Sequence, residues 1–425
     1  MIYKYHRIFL VFLVFLVFLV TGFTQLKAEE TLNWQDCIKE AAQNNPDLIS
    51  AEESVKESEA SKKIIASSAF PQIDSSVSAS TAKASGETTD SYSFGASATQ
   101  LLFDGLKTRD NVKAASENIK AAQFNYKFTS SEVRLRLRTA FINLLKTQEL
   151  LKITQDIYNI RRNNLELITL RYESGIEHKG ALLTAEANLA QAEFEISQTK
   201  RALEAVQREL VKEMGRTKFL PLQVTGEFKV SDTVLEKPDF EKMADENPSL
   251  GKLMAQKNAA SFGIKTAQAN FFPQLSAQAG ANRSSSHWPP EDNRWSAGLT
   301  VSFPIFEGGL RLAQVAKAEA VFNQAKENER STKDGIVVAI EQAWNTLQDA
   351  VETAEVEKKF LDATQERAKI AEAQYALGLT QFDNWTIIED SLVRAKKTFL
   401  DAQTNALLAQ AKWIQAKGET LEYAD

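Results

Sequence analysis

Apolar and polar residues alternate one by one in four stretches of the chain. Ile73, Val77 and Ala79 alternate with Asp74, Ser76, Ser78 and Ser80. Tyr92, Phe94, Ala96 and Ala98 alternate with Ser91, Ser93, Ser97 and Thr99. Further on, Leu275, Ala277, Ala279 and Ala281 alternate with Gln274, Ser276, Gln278 and Asn282. Trp295, Ala297, Leu299, Val301, Phe303 and Ile305 alternate with Arg294, Ser296, Thr300 and Ser302. Period two predicts four strands of about 10–13 residues. The polar segments Ala84–Asp90 and Ser284–Asn293 join them as two hairpins, and Phe70, Phe103, Phe271, Phe272, Trp288, Trp295 and Phe306 gather near strand ends.

Elsewhere the pattern is helical. From Leu106 to Ser174 there are 69 residues without Gly or Pro, a helix of ~100 Å at 1.5 Å per residue. Leu137, Leu144, Leu151, Tyr158, Leu165 and Tyr172 recur every seven residues, as do Ile340, Leu347, Ala354, Leu361, Ala368 and Tyr375. A sustained heptad predicts coiled-coil packing with a left-handed supercoil. Two shorter helices, Asp47–Phe70 and Ala181–Met214, together nearly match the long one and can stack end to end beside it. Tyr172–Gly180 then turns a helical hairpin, with a second turn near Leu377–Asp383. Gly335 interrupts the second long helix, as a kink or as a tolerated glycine.

The chain repeats itself once. Asn45-Pro46 recurs as Asn247-Pro248 and Phe70-Pro71-Gln72 as Phe272-Pro273-Gln274, 202 residues on. At an offset of 203, Phe103-Asp104-Gly105 recurs as Phe306-Glu307-Gly308, Val112 as Val315, Phe141 as Trp344, Tyr172-x-x-Gly175 as Tyr375-x-x-Gly378, Leu189 as Leu392 and Gly215 as Gly418. The period is that of a duplicated domain-sized unit, not of a solenoid. The expected organisation is a leader over 1–28; a first repeat over 29–220, with a β-hairpin about 71–103 and a helical hairpin about 105–215; a linker over 221–240; and a second repeat over 241–425, with a β-hairpin about 273–306 and a helical hairpin about 308–418.

The leader changes what the strands mean. Lys4 and Arg7 precede an unbroken apolar run, Ile8 to Val20, too short for a comfortable membrane helix. Leu26-Lys27-Ala28 resembles a cleavage site, so we read a secretory signal peptide ending at Ala28. Losing Lys4, Arg7 and Lys27 takes the net charge from −6 to −9. The rest contains no other long apolar segment. In an exported chain, alternating strands of ~10 residues with terminal aromatics fit an outer-membrane barrel. Four strands cannot close one, because about eight is the minimum, and open strand edges do not survive in lipid. The chain must therefore associate, and three copies supply twelve strands.

Composition removes other classes. One Cys and three His exclude a disulfide scaffold and all but exclude a Cys/His zinc site. Net negative charge argues against nucleic acid as a partner. No phosphate loop, nucleophile elbow or zinc motif is present, so neither a cofactor nor an enzymatic activity is expected. Cys37 reads as a small packed residue. A purely structural coiled-coil surface protein is the rival reading, but it needs neither paired strand hairpins nor matching turns.

These residues together resemble the TolC-like outer membrane efflux protein family. The resemblance runs over nearly all of the mature sequence: Leu32-x-Trp34 through Asn45-Pro46, both Phe-Pro-Gln strand starts, and both Phe-(Asp/Glu)-Gly strand ends. It continues through Arg171-Tyr172-x-x-Gly175, Leu182-Leu183-x-Ala185-Glu186, and Gly378-Leu379-Thr380 to Trp385 and Glu389. It implies a trimer with a twelve-stranded barrel in the outer membrane and a long periplasmic helical tunnel. It also implies a periplasmic adaptor (membrane fusion) protein and an inner-membrane transporter as partners, in efflux or in type I secretion. The tips Gly175, Ile176, Gly378, Leu379, Thr380 and Phe382 are the implied adaptor-docking surface. Leu377-Gly378-Leu379-Thr380 fits the family's tip pattern, whereas Ser174-Gly175-Ile176-Glu177 fits it in part. Asp383, Asn384 and Glu389 are the implied periplasmic entrance, shifted from the family's usual acidic positions.

Overall fold

The computed structural model describes residues 30–228 and 237–422; the leader and residues 229–236 of the expected linker lie outside them. In chain order the elements are β1 (Glu30–Leu32), α1 (Trp34–Asn44), α2 (Pro46–Ser67), β2 (Gln72–Ala84), β3 (Glu87–Phe103), α3 (Lys107–Glu173), α4 (Lys179–Glu213) and β4 (Leu222–Val224). The second half gives α5 (Phe240–Glu246), α6 (Pro248–Ala269), β5 (Gln274–Ser285), β6 (Asp292–Ser302), α7 (Leu310–Ala376) and α8 (Phe382–Ala416).

The two long helices, α3 and α7, have 67 residues each, ~100 Å apiece. Beside them the short helices stack in pairs, and the repeated landmarks form the joints. The Asn45 side chain accepts from the Asp47 backbone N–H at 3.0 Å, capping α2, while its Nδ2 donates to the last carbonyl of α4, Glu213 O, at 2.9 Å. Asn247 does the same for α6 and α8: Ser249 N–H donates to its Oδ1 at 2.9 Å and its Nδ2 donates to Ala416 O at 3.1 Å. Proline at the first helical position loses only an N–H that has no intrahelical partner. Gly215 follows α4 with φ +79°, and a Cβ built there would sit 2.2 Å from Asn44 O; only glycine fits.

The helices form a four-wide strip. Toward the sheet the order is α2–α3–α6–α7, and toward the hairpin turns it is α4–α3–α8–α7. The α3 and α8 helices are thus the inner pair, and α7 on one side and α2 with α4 on the other are the edges. Beside the strip, α1 and the parallel pair β1–β4 cover a core of Leu32, Cys37, Ile38, Leu137, Phe141, Leu210, Met214 and Leu222. Its counterpart in the second half holds Phe240, Ile340, Trp344, Leu347 and Trp413. Cys37 is fully buried, and burial pushes its thiol up to about 12, which makes it inert packing.

The second-copy heptad, Ile340 to Tyr375, is buried or half-buried throughout. In α3 the seam differs from the expectation. Leu137 and Leu144 are buried, Leu151, Tyr158 and Leu165 are half-buried, and Tyr172 is exposed. The companion line Val133, Ala140, Thr147, Thr154, Arg161 and Ile168 is buried all the way. It too repeats every seven residues, but its polar and small members hide it from a hydrophobicity pattern. The α7 helix passes through Gly335 unbroken, and a Cβ there would meet nothing within 4 Å.

The four strands make one antiparallel sheet in the order β2-β3-β5-β6. Cross-strand pairs Val77–Phe94, Ala277–Leu299 and Ala281–Trp295 lie on the apolar face. The opposite face pairs Ser78 with Ser93, whose hydroxyls are 2.8 Å apart. Ile73, Val77, Trp295, Leu299 and Val301 are all exposed in the single chain, as a lipid-facing surface requires. Two expectations need correction. The segment Ala84–Asp90 is almost all strand: the turn is only Ser85-Gly86, with φ +52° and +86°, the both-positive geometry of a tight two-residue hairpin. Phe303 and Ile305 lie beyond β6, because Pro304 has no N–H for the ladder.

Candidate functional site

Both ends of the strip are incomplete in one copy. At the sheet end, β2 and β6 are open edges flanking an apolar face. No helix among the described residues is long and apolar enough to cross a membrane, and the apolar face with its exposed Trp295, Leu299 and Val301 belongs to this sheet. Closing its edges in lipid requires further strands.

At the other end the two helical hairpins turn. Each long helix stops in the same way. Gly175 N–H donates to Tyr172 O at 3.0 Å and Ile176 N–H to Arg171 O at 2.9 Å; Gly378 N–H donates to Tyr375 O at 3.0 Å and Leu379 N–H to Gln374 O at 2.8 Å. With φ of +72° and +74° at the glycines, these are Schellman motifs. In that motif the residue after the glycine usually packs back on the helix. Here it does not: Ile176 and Leu379 are 66% and 74% exposed, and Leu377 is equally bare. Thr380 is half-buried. The return helices start on His178, whose Nδ1 accepts from Ala181 N–H at 3.1 Å, and on Gln381, which makes no side-chain cap.

Phe382 departs from its expected role. It is buried, with its ring 6.3 Å from those of both Tyr375 and Trp385. As the first residue of α8 it points back into the hairpin, joining Ile168, Ala181, Ala185 and Ala371 in a small core. Tyr375 and Trp385 stack at 4.4 Å with planes 9° apart. Around this core the two hairpins are tied together. Tyr375 donates its hydroxyl proton to Glu177 Oε2 at 2.8 Å. Burial, and then the Glu177 carboxylate, push the Tyr375 phenol up, so it stays protonated and donating. The Arg171 guanidinium lies 4.8 Å above the Tyr375 ring.

The acidic residues divide. Asp383 and Asn384 are exposed in the first turn of α8. Glu389 is buried, contrary to its expected place at an entrance. It sits between the hairpins with Arg161, Asn188 and Trp385 around it. Burial pushes its carboxyl up, against the opposing pull of Arg161. Arg161 pairs instead with Asp390 at 2.5 Å. Lys146–Asp401 at 2.6 Å and Lys397–Glu195 at 2.8 Å continue the tie between hairpins. Sequence reasoning missed Arg161 and Asp390 as partners. Arg161 lies on the polar companion heptad, the one signal that could have found it. Among the described residues no group of three or more metal-ligating side chains forms.

A half-open sheet with a lipid-facing side, joined to ~100 Å helical hairpins that end in bare tips, defines a class: an outer-membrane channel whose barrel and tunnel are completed by several copies. A family model described as outer membrane efflux protein matches residues 37–216 and 240–421. The chain belongs to the outer membrane efflux protein family. Outer membrane efflux protein BepC of Brucella suis is 22% identical over 407 residues, covering 93% of this chain and 84% of that protein. Outer membrane protein TolC of Escherichia coli is 23% identical over 434 residues, covering 94% and 84%. Among solved structures, one of CusC superposes with a TM-score of 0.80 at 20% identity, covering 90% of this chain and 91% of that one. The Campylobacter jejuni CmeC outer membrane channel gives 0.77 at 18%, covering 95% and 92%. The fold is that of these outer-membrane channels, a four-stranded sheet per copy continued by long helical hairpins. The protein is an outer-membrane exit duct for efflux, with a large periplasmic portion.

Proposed function

We propose that the duct receives its substrate at the hairpin tips from a periplasmic adaptor fed by an inner-membrane transporter, and passes it outward without chemical change. The observation that carries this reading is the bare Ile176, Leu377 and Leu379 at turns whose geometry would normally cover them. Exposed apolar residues clustered at one end mark an interaction site. A partner built of helical hairpins would cover them in register. Asp383 and Asn384 form the rim of the entrance, where three copies bring like charges close and draw cations toward the opening. Glu389 acts behind the rim, in the contact between the two hairpins of one copy.

Gly378→Arg tests the docking. A Cβ at Gly378 meets nothing within 4 Å, so the side chain fits the copy itself. The left-handed φ costs about 1–2 kcal/mol, too little to prevent assembly. The variant is expected to form trimers, insert in the outer membrane and lose export. Export at the normal rate by assembled variant trimers would move the docking surface onto the helix flanks.

A further inference from the structure

The cavity between α3 and α8, beside α1, carries an unmatched positive charge. Its volume is about 300 Å³, and Trp34, Ser131, Arg134, Arg138, Gln410 and Gln415 line it; among the described residues no Asp or Glu does. Arg134 is matched: its Nη1 lies 3.4 Å from Glu419 Oε2 and donates to Thr420 O at 3.0 Å. Arg138, one helical turn on, is not. Its guanidinium carbon lies 4.7 Å over the Trp34 ring and 5.6 Å from the Phe141 ring. Among the described residues it has no ion-pair partner and no hydrogen-bond acceptor. The rings stabilise the cation but use none of its five N–H donors. Burial, with Arg134 adding to it, already disfavours the charge, and like charges four apart on a helix repel.

We propose that this cavity binds a small oxyanion, a phosphate or a carboxylate group, gripped by the Arg138 fork. Arginine matches both groups bidentately. The amides of Gln410 and Gln415 and the Trp34 indole supply neutral donors, and no carboxylate among the described lining residues competes for the Arg138 fork. The cavity lies between α3 and α8, the inner pair of the strip, and away from its edges. The bound anion cancels the repulsion within the Arg134 and Arg138 pair and fastens α3 to α8, the helices that join the two hairpins.

Calorimetric titration of the detergent-solubilised trimer with inorganic phosphate and, separately, with succinate at constant ionic strength tests this. Saturable binding of one anion per chain is expected for at least one probe, weakened at least tenfold by Arg138→Gln and less by Arg138→Lys. Binding of phosphate alone identifies a phosphate site, and binding of succinate alone a carboxylate site. If Arg138→Gln does not assemble, the Gln410→Ala/Gln415→Ala variant replaces it and is expected to weaken binding at least threefold. No saturable binding of either probe, or binding unchanged in an assembled variant, overturns the proposal.

Discussion

Tyr375→Phe removes one atom from the tie between the hairpins and leaves the rest in place. The ring stack on Trp385 at 4.4 Å and the Arg171 contact at 4.8 Å do not involve the hydroxyl. What is lost is the 2.8 Å bond to Glu177. The Glu177 side chain is only 10% exposed and Tyr375 is buried, so the bond is shielded from water. A hydrogen bond to a charged group contributes about 1.5–3 kcal/mol. Taking about 2 kcal/mol, parting of the two tips becomes about thirtyfold easier. Hydrogen exchange at the turn amides reads this directly, because Ile176 and Leu379 N–H are bonded inside the Schellman motifs. If parting of the tips is what opens those bonds, protection there falls about thirtyfold in the variant, while amides around Leu137 and Leu144 are unaffected. Because the phenol is pushed up, the effect is flat from pH 6 to 8. Protection within a factor of two of the parent would refute the idea that this bond holds the tips together.

Three further outcomes are expected. Glu389→Gln raises the melting temperature at pH 8 and leaves it unchanged at pH 4: a carboxyl pushed up by burial is stabilising when protonated and loses that contribution as pH rises through its folded pKa. A melting temperature lowered at pH 8 would mean that the attraction of Arg161 outweighs burial. Gly215→Ala shortens the half-life of the trimer at elevated temperature far more than Gly378→Ala, because both incur the left-handed penalty of about 1–2 kcal/mol but only Gly215 meets backbone, at 2.2 Å; equal half-lives would remove the joint argument. Asp383→Asn with Asn384→Lys reduces cation preference in planar bilayers, and unchanged selectivity would take the rim elsewhere.

Much of the architecture is legible in the sequence, for reasons that differ by element. Period two over ten residues admits only strands, and an unbroken run of 69 residues without Gly or Pro admits only a very long helix. The repeat marks the joints: Asn45 and Asn247 recur because each caps one helix and ties down the end of another. Failures arise where burial does not follow apolarity. Thr147, Thr154 and Arg161 occupy buried heptad positions, since small and paired polar side chains fit a close helix contact. At the tips, sequence spacing could place Phe382 and Glu389 near a turn but not choose their direction. The side chains of both go inward, Phe382 onto two aromatic rings and Glu389 beside Arg161, while Ile176 and Leu379 remain outside. The pairing of Arg161 with Asp390 joins residues 229 positions apart, beyond any local pattern.

In lipid the open edges β2 and β6 require two further copies to close the barrel. Native mass spectrometry of the protein extracted from outer membranes in mild detergent measures this directly. A single assembly with the mass of three chains is predicted; a folded, lipid-extracted monomer or dimer would contradict it.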